Sequence, residues 1–141
     1  MAMEIHVDIV SAEHAIFSGP ATMVFVPGKM GELGIAPRHS PLVTILVPGE
    51  VRVRTQNGEE LDFYISGGIL EVQPHVVTVL SDTAIRAADL DEAAAIAAKE
   101  RAEKLLSDKQ VDIDYARVQA ELSEAMAQIR AIENIRKKTK R

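Results

Sequence analysis

VVTVLSDTAIRAADLDEAAAIAAKERA, residues 76–102, contains the change of character that decides the fold. It opens on a β-branched run, Val76 to Leu80. From Ala87 to Ala102 it holds eight alanines, and no Gly or Pro occurs anywhere after Pro74. β-Branched residues suit a pleated, half-buried surface, whereas alanine loses no side-chain entropy in a helix. The chain therefore divides here into two expected domains, an all-β part over 1–87 and a helical part over 88–141.

Upstream of the break, Ile5, Val7 and Ile9 alternate with Glu4, His6 and Asp8. That period of two marks a strand with one face buried. Thr22–Val26, Leu42–Val47, Glu50–Arg54, Leu61–Ile65, Ile69–Val72 and Val76–Leu80 read as further strands. Pro27-Gly28, Pro48-Gly49, Asn57-Gly58, Gly67-Gly68 and Pro74-His75 punctuate them as turns. Short strands with closely spaced turns predict a sandwich or barrel.

Downstream, Asp89 with Glu92 three positions later fits a capping box, so the first helix is predicted over about Leu90–Leu106. Ser107-Asp108-Lys109-Gln110 is a polar break. A second helix is predicted from Asp112 or Asp114 to about Arg136. Tyr115, Val118, Leu122, Ala125, Ile129 and Ile132 form a stripe at heptad spacing on it, and Ala94, Ala98 and Ala102 form a small-residue face on the first. A short connection favours an antiparallel hairpin. With so little apolar area on the alanine helix, this arm is expected to be loosely docked.

Composition narrows the function. Net charge is −5, which argues against a general nucleic-acid binder. From Arg130 to Arg141, however, six basic residues accompany the single acid Glu133. Such a local asymmetry suits one anionic partner at one place. No Cys is present, so neither a disulfide nor a thiolate–metal site can form. The N-terminus lacks the pattern of a signal or transit peptide, and no stretch approaches the roughly 20 apolar residues of a membrane span. The expectation is a cytoplasmic protein that meets a membrane only through a partner.

Enzyme chemistry is hard to find. Gly28-Lys29-Met30 is not a phosphate-binding loop, and Gly31-Glu32-Leu33-Gly34 reads locally as a loop with permissive backbone angles. The four histidines, His6, His14, His39 and His75, have no metal-motif spacing, so no metal is expected. Ser11, Ser18, Ser40 and Ser66 lack a nucleophile context. In Pro37-Arg38-His39-Ser40-Pro41 the two prolines are expected to hold an extended segment that displays its side chains. Residues alone leave two non-enzymatic possibilities: a β domain with a movable arm, or a free-standing β-sandwich binding module that self-associates through a helical tail over Tyr115–Ile132.

The motifs go further. Ser11-Ala12-Glu13 with Phe17-Ser18-Gly19, then Gly31-Glu32-Leu33-Gly34-Ile35 with Pro37, His39, Pro41 and Leu42, resemble the ε subunits of bacterial F-type ATP synthases. So do Ser66-Gly67-Gly68-Ile69-Leu70-Glu71-Val72, Asp82-Thr83-Ala84 and Asp89-Leu90-Asp91-Glu92-Ala93. The likeness runs in register along essentially the whole chain and is strongest to proteobacterial forms.

That resemblance implies a flattened ten-stranded β-sandwich followed by an antiparallel helical hairpin. It implies a non-catalytic rotor subunit of a proton-translocating synthase, bound to the γ subunit and the c-subunit ring at the inner-membrane face. Glu32 and His39 would contact the ring. The hairpin would extend into the α/β catalytic head and inhibit ATP hydrolysis, with Arg117, Arg130, Arg136, Lys137 and Lys138 meeting an acidic loop of the β subunit. Some relatives bind ATP through Ile/Leu-Asp-x-x-Arg-Ala. Here Asp91 and a later Arg101 remain, but Ala94 stands at the Arg position, so ATP binding is expected to be weak or absent and no other cofactor is implied.

Overall fold

The computed structural model describes residues 3–108 and 114–139. The chain forms two units, residues 1–86 and 87–141.

The first unit has ten strands: β1 (Ile5–Val10), β2 (Ala15–Ala21), β3 (Met23–Gly28), β4 (Gly31–Ile35), β5 (Leu42–Leu46), β6 (Gly49–Arg54), β7 (Glu60–Ile65), β8 (Gly68–Val72), β9 (Val76–Leu80) and β10 (Ala84–Arg86). They pair in the order β10-β7-β6-β3-β5-β8-β9-β1-β2, with β4 added on β3. Only β1 and β9 run parallel. The one rung between β3 and β5, Gly28 with Leu46, joins the two halves of the ladder.

The sheet folds over on itself. Phe63 on β7 and Phe17 on β2 stand near opposite ends of the strand order, yet their rings lie 5.5 Å apart and tilted. The core between the layers holds Ile5, Val7, Ile9, Val24, Val26, Val51, Val53, Phe63, Ile65, Leu70, Val77 and Val79, each at most 1% exposed. As the composition requires, it is built almost wholly from aliphatic side chains. These residues alternate along β1, β3, β6 and β9 with outward ones, which is the pleat expressed as burial.

Three strands escaped the sequence analysis: β2, β4 and β10. β4 is the clearest correction. Gly31-Glu32-Leu33-Gly34 is not a loop but a strand paired antiparallel with β3, from Val24–Ile35 to Gly28–Gly31. Two glycines in five residues obscure the β signal. The prediction for Pro37 to Pro41 also needs correcting. Arg38 has a left-handed φ of 62°, and the His39 N–H donates to the Ala36 carbonyl at 3.2 Å. The segment is therefore a tight turn with proline at its second position and positive φ at its third, a type II pattern. The Arg38 N–H bonds the Pro74 carbonyl at 3.1 Å. That tertiary bond draws the turn toward the β8–β9 connection, where proline geometry alone suggested an extended run.

The second unit opens with a 3₁₀ turn over Ala87–Asp89, then α1 (Glu92–Ser107) and α2 (Tyr115–Thr139). The expected Asp89–Glu92 capping box does not form. The Leu90 N–H bonds back to the Ala87 carbonyl, and Asp91 is the N-cap, its Oδ1 accepting from the Ala94 N–H at 3.1 Å. Asp114 caps α2 through the Arg117 N–H at 3.3 Å; Asp112, the other predicted start, lies outside the described residues.

On α2, Val118 and Ala125 are buried and Leu122, Ile129 and Ile132 half-buried, as the stripe predicts, while Tyr115 is exposed. On α1 the buried face is Ala95 and Ala102 with Ala98, Leu105 and Leu106 half-buried; Ala94 is exposed. The predicted small-residue face was thus off at its first position. Alanines fill so many positions that they do not select a face, whereas Leu105 and Leu106 do. α1 and α2 pack on each other.

One polar cluster makes the stability of the sandwich depend on pH. Ser18 Oγ donates to Asp8 Oδ1 at 2.7 Å, and His6 Nε2 lies 3.0 Å from both Asp8 Oδ1 and Ser18 Oγ. The Ser18 hydrogen bond is the main effect holding the Asp8 carboxyl below its ordinary value; burial opposes it, and the hydrogen bond and charge of His6 add smaller lowering effects. A carboxyl lowered on folding stabilises the fold above its unfolded pKa of about 3.9, and that contribution is lost as pH falls through the lower folded value. Asp8→Asn is expected to cost less than about 1 kcal/mol at neutral pH. The gap to wild type should close below about pH 4, read from urea midpoints across pH; a gap that persists in acid would rule out the ionised carboxylate as its source.

Candidate functional site

Three surface features are left once the core is assigned, and each follows from strand or helix register.

The first is apolar. In the β5–β8–β9 ladder Ile45 faces Ile69, and Ile69 faces Leu80. Residues directly opposite in a ladder share a face, and Val43, two positions before Ile45, shares it too. All four are on the outer face, with exposures of 70% for Val43, 60% for Ile45, 46% for Ile69 and 42% for Leu80. This is a contiguous row, not scattered apolar residues. At its end is a shallow concavity of about 400 Å³ that includes Val10, Ser11, Ser66, Ile69, Leu80 and Ser81. Contiguous exposed apolar surface marks a docking site.

The second is the outer face of β4, β3 and β6. Arg52 donates to Glu32 at 2.7 Å, its guanidinium lies 4.4 Å from the centre of the Phe25 ring, and it approaches Glu60 at 3.8 Å. Glu32 is therefore displayed as a held ion pair. His39, half-buried, has Nδ1 2.8 Å from the Ser40 carbonyl; with the proton on Nδ1, Nε2 is left as an acceptor. Glu32 lies near the start of β4 and His39 at the close of the turn that follows the strand.

The third is α2. Arg117, Arg130, Arg136, Lys137 and Lys138 are all exposed, and the last turn is basic, where the helix dipole favours cations. They do not form one surface. Arg117 lies in the first turn and reaches Glu121 at 3.9 Å. Arg130 and Lys137, seven residues apart, share a solvent face. Arg136 instead binds Glu92 of α1 with both arms of its guanidinium. Lys140 and Arg141, the end of the basic tail, lie outside the described residues.

None of these features is catalytic. Ser18, His6 and Asp8 share the residue types of a nucleophilic triad, and local sequence did not reveal that they meet. The geometry is wrong for that chemistry: both partners meet the same imidazole nitrogen, and the serine donates directly to the aspartate, so no base is oriented by a third group. The Ser11 hydroxyl bonds the His14 carbonyl. Ser66 Oγ accepts from the Thr83 N–H and lies 3.3 Å from Ser81 Oγ. Both hydroxyls are spent on turns. Among the described residues no cluster of three or more His, Cys, Asp or Glu could hold a metal, and no helix is long and apolar enough to cross a membrane.

A β-sandwich with an exposed apolar row, joined to a two-helix unit with a basic end, defines a binding and assembly protein. Comparison with known proteins agrees in detail. Residues 4–87 match the model of the ATP synthase delta/epsilon chain β-sandwich domain, and residues 88–133 that of its long α-helix domain. The chain is 66% identical to the ATP synthase epsilon chain of Nitrosococcus oceani, over 98% of this chain and 99% of that one. It is 61% identical to the epsilon chain of Alkalilimnicola ehrlichii, over 97% and 98%. A chain in the cryo-EM structure of Euglena gracilis mitochondrial ATP synthase, OSCP/F1/c-ring, shares the fold with a TM-score of 0.79 at 22% identity, covering 92% of this chain and 81% of that chain. The chain belongs to the ATP synthase delta/epsilon family. It is a non-catalytic subunit type within that complex.

Proposed function

We propose that this chain is a central-stalk rotor subunit of a proton-translocating F-type ATP synthase, peripheral on the cytoplasmic face of the inner membrane. Its sandwich docks on the γ subunit and the c-subunit ring, coupling ring rotation to the α/β head. The observation that carries the proposal is the outward row Val43, Ile45, Ile69 and Leu80, a rigid apolar strip whose burial by a partner is worth several kcal/mol. γ is the occupant proposed for it, and the Glu32–Arg52 pair and His39 are proposed to meet polar loops of the ring.

The helical unit acts as a brake on ATP hydrolysis when α2 leaves α1 and presents its basic residues to an acidic surface of the head. The small side chains of the α1 face support this: most contacts there are methyl-sized, each worth only about 0.8 kcal/mol. ATP is not bound tightly. The Asp91 carboxylate already caps α1, and Ala94 offers a phosphate no cation. The competing picture of a self-associating tail has lost its interface, because Val118, Leu122, Ala125, Ile129 and Ile132 are already covered or half-covered.

Removing residues 88–141 from the chain in the assembled complex tests this. Assembly with γ should persist and ATP hydrolysis should rise several-fold. A truncated chain that no longer co-purifies with γ would place the docking surface elsewhere, and unchanged hydrolysis would remove the brake.

A further inference from the structure

The position of Arg136 sets it apart from the other basic residues of α2. Ile129, Ile132 and Arg136 are spaced three and four apart, so Arg136 continues the stripe that faces α1. Where the next apolar residue of that stripe would stand, the helix has a guanidinium. Its Nη1 donates to Glu92 Oε1 at 3.0 Å and its Nη2 to Glu92 Oε2. Glu92 is the first residue of α1 and Arg136 lies in the last turn of α2. Each charge sits at the helix end whose dipole favours it, so two electrostatic effects reinforce one contact. A fork-to-fork pair also occupies the guanidinium edge that another carboxylate would need.

We propose that Glu92 is a built-in competitor for Arg136: it occupies the surface by which the end of α2 would engage an acidic partner, and so holds the arm in its hairpin form. The proposal rests on the inhibitory role given to the arm above. Arg130 and Lys137, on the solvent face, can meet an acidic surface with the hairpin intact. Arg136 can do so only after giving up Glu92.

A competitor and its target have opposite effects when removed, which a pair with a purely structural role would not show. In the assembled complex Glu92→Gln should lower ATP hydrolysis about two- to five-fold, the population shift that an exposed ion pair supports. Arg136→Gln should raise it toward the level of the 88–141 deletion. The double substitution should behave like Arg136→Gln alone, since a competitor without its target has nothing to withhold. The Glu92→Gln effect should shrink at high salt, where exposed ion pairs are screened. Thermal melts of the variant chains check that both fold. If Glu92→Gln leaves hydrolysis unchanged or raises it while the deletion still raises it, the competitor role is wrong and the brake survives. If the deletion itself has no effect, the brake is wrong and the competitor falls with it.

Discussion

Ile45→Glu combined with Ile69→Glu is expected to weaken binding of the chain to γ at least about a hundredfold, with only a modest fall in its own melting temperature. Both side chains are on the outer face, 60% and 46% exposed, so each change costs the fold about 0.5 kcal/mol, and the facing carboxylates add a cross-strand repulsion of under about 1 kcal/mol. At a docked interface the balance differs. Covering an isoleucine is worth roughly 1.5–3 kcal/mol, and a carboxylate buried without a partner is penalised further. A loss of about 2.7 kcal/mol already corresponds to a hundredfold in affinity. Ile45 and Ile69 are directly opposed across β5 and β8, so the two charges also break the row at its centre. Titration of γ with the variant, beside a melt of the variant alone, separates the two effects. Undiminished γ binding would mean that the apolar row faces something else.

Gly68→Ala should destabilise the sandwich by about 4–5 kcal/mol, near the upper end of what a single substitution does. A methyl group there would lie 1.9 Å from the Leu80 carbonyl oxygen, and the residue has a φ of +142°. The backbone conformation alone is worth about 1–3 kcal/mol to a residue with a side chain. The clash adds to it and has no cheap relief. The obstructing atom is backbone, and it belongs to the residue paired with Ile69 across β8 and β9, so relief means parting two strands. Gly31→Ala is the control. Its φ is +128°, but nothing lies within 4 Å of the added carbon, so it should show the conformational cost alone, about 1–3 kcal/mol. Calorimetry of both variants reads the difference, and equal losses would mean that the β8–β9 approach is not the constraint.

Family motifs, strand alternation and the alanine boundary made much of the molecule legible. The strands with clean alternation, such as β1 and β6, were found within a residue or so of their ends. β4 was missed because Gly31 and Gly34 carry no β signal of their own; its pairing with β3 makes it a strand. The start of α1 was misplaced because Asp89 and Asp91 are equally good caps by composition, and the 3₁₀ turn at Ala87 decided between them. The candidate site residues were nominated by resemblance. Their partners were not: no local spacing links Glu32 to Arg52, or Glu92 to Arg136, across 44 residues.

By itself the sequence determined the strands with a clear alternating or β-branched pattern, the two helices, that the core is aliphatic, and that a basic end closes an acidic chain. These properties follow from side-chain shape, period and charge, which act over a few residues. Only the tertiary structure decided which outward residues stand side by side. Val43, Ile45, Ile69 and Leu80 become one surface because three strands lie in a particular register, and Arg136 is turned from a tail charge into a hairpin contact because α2 runs back to the start of α1. Register is set by long-range pairing and core packing, and a shift of one residue would invert every face.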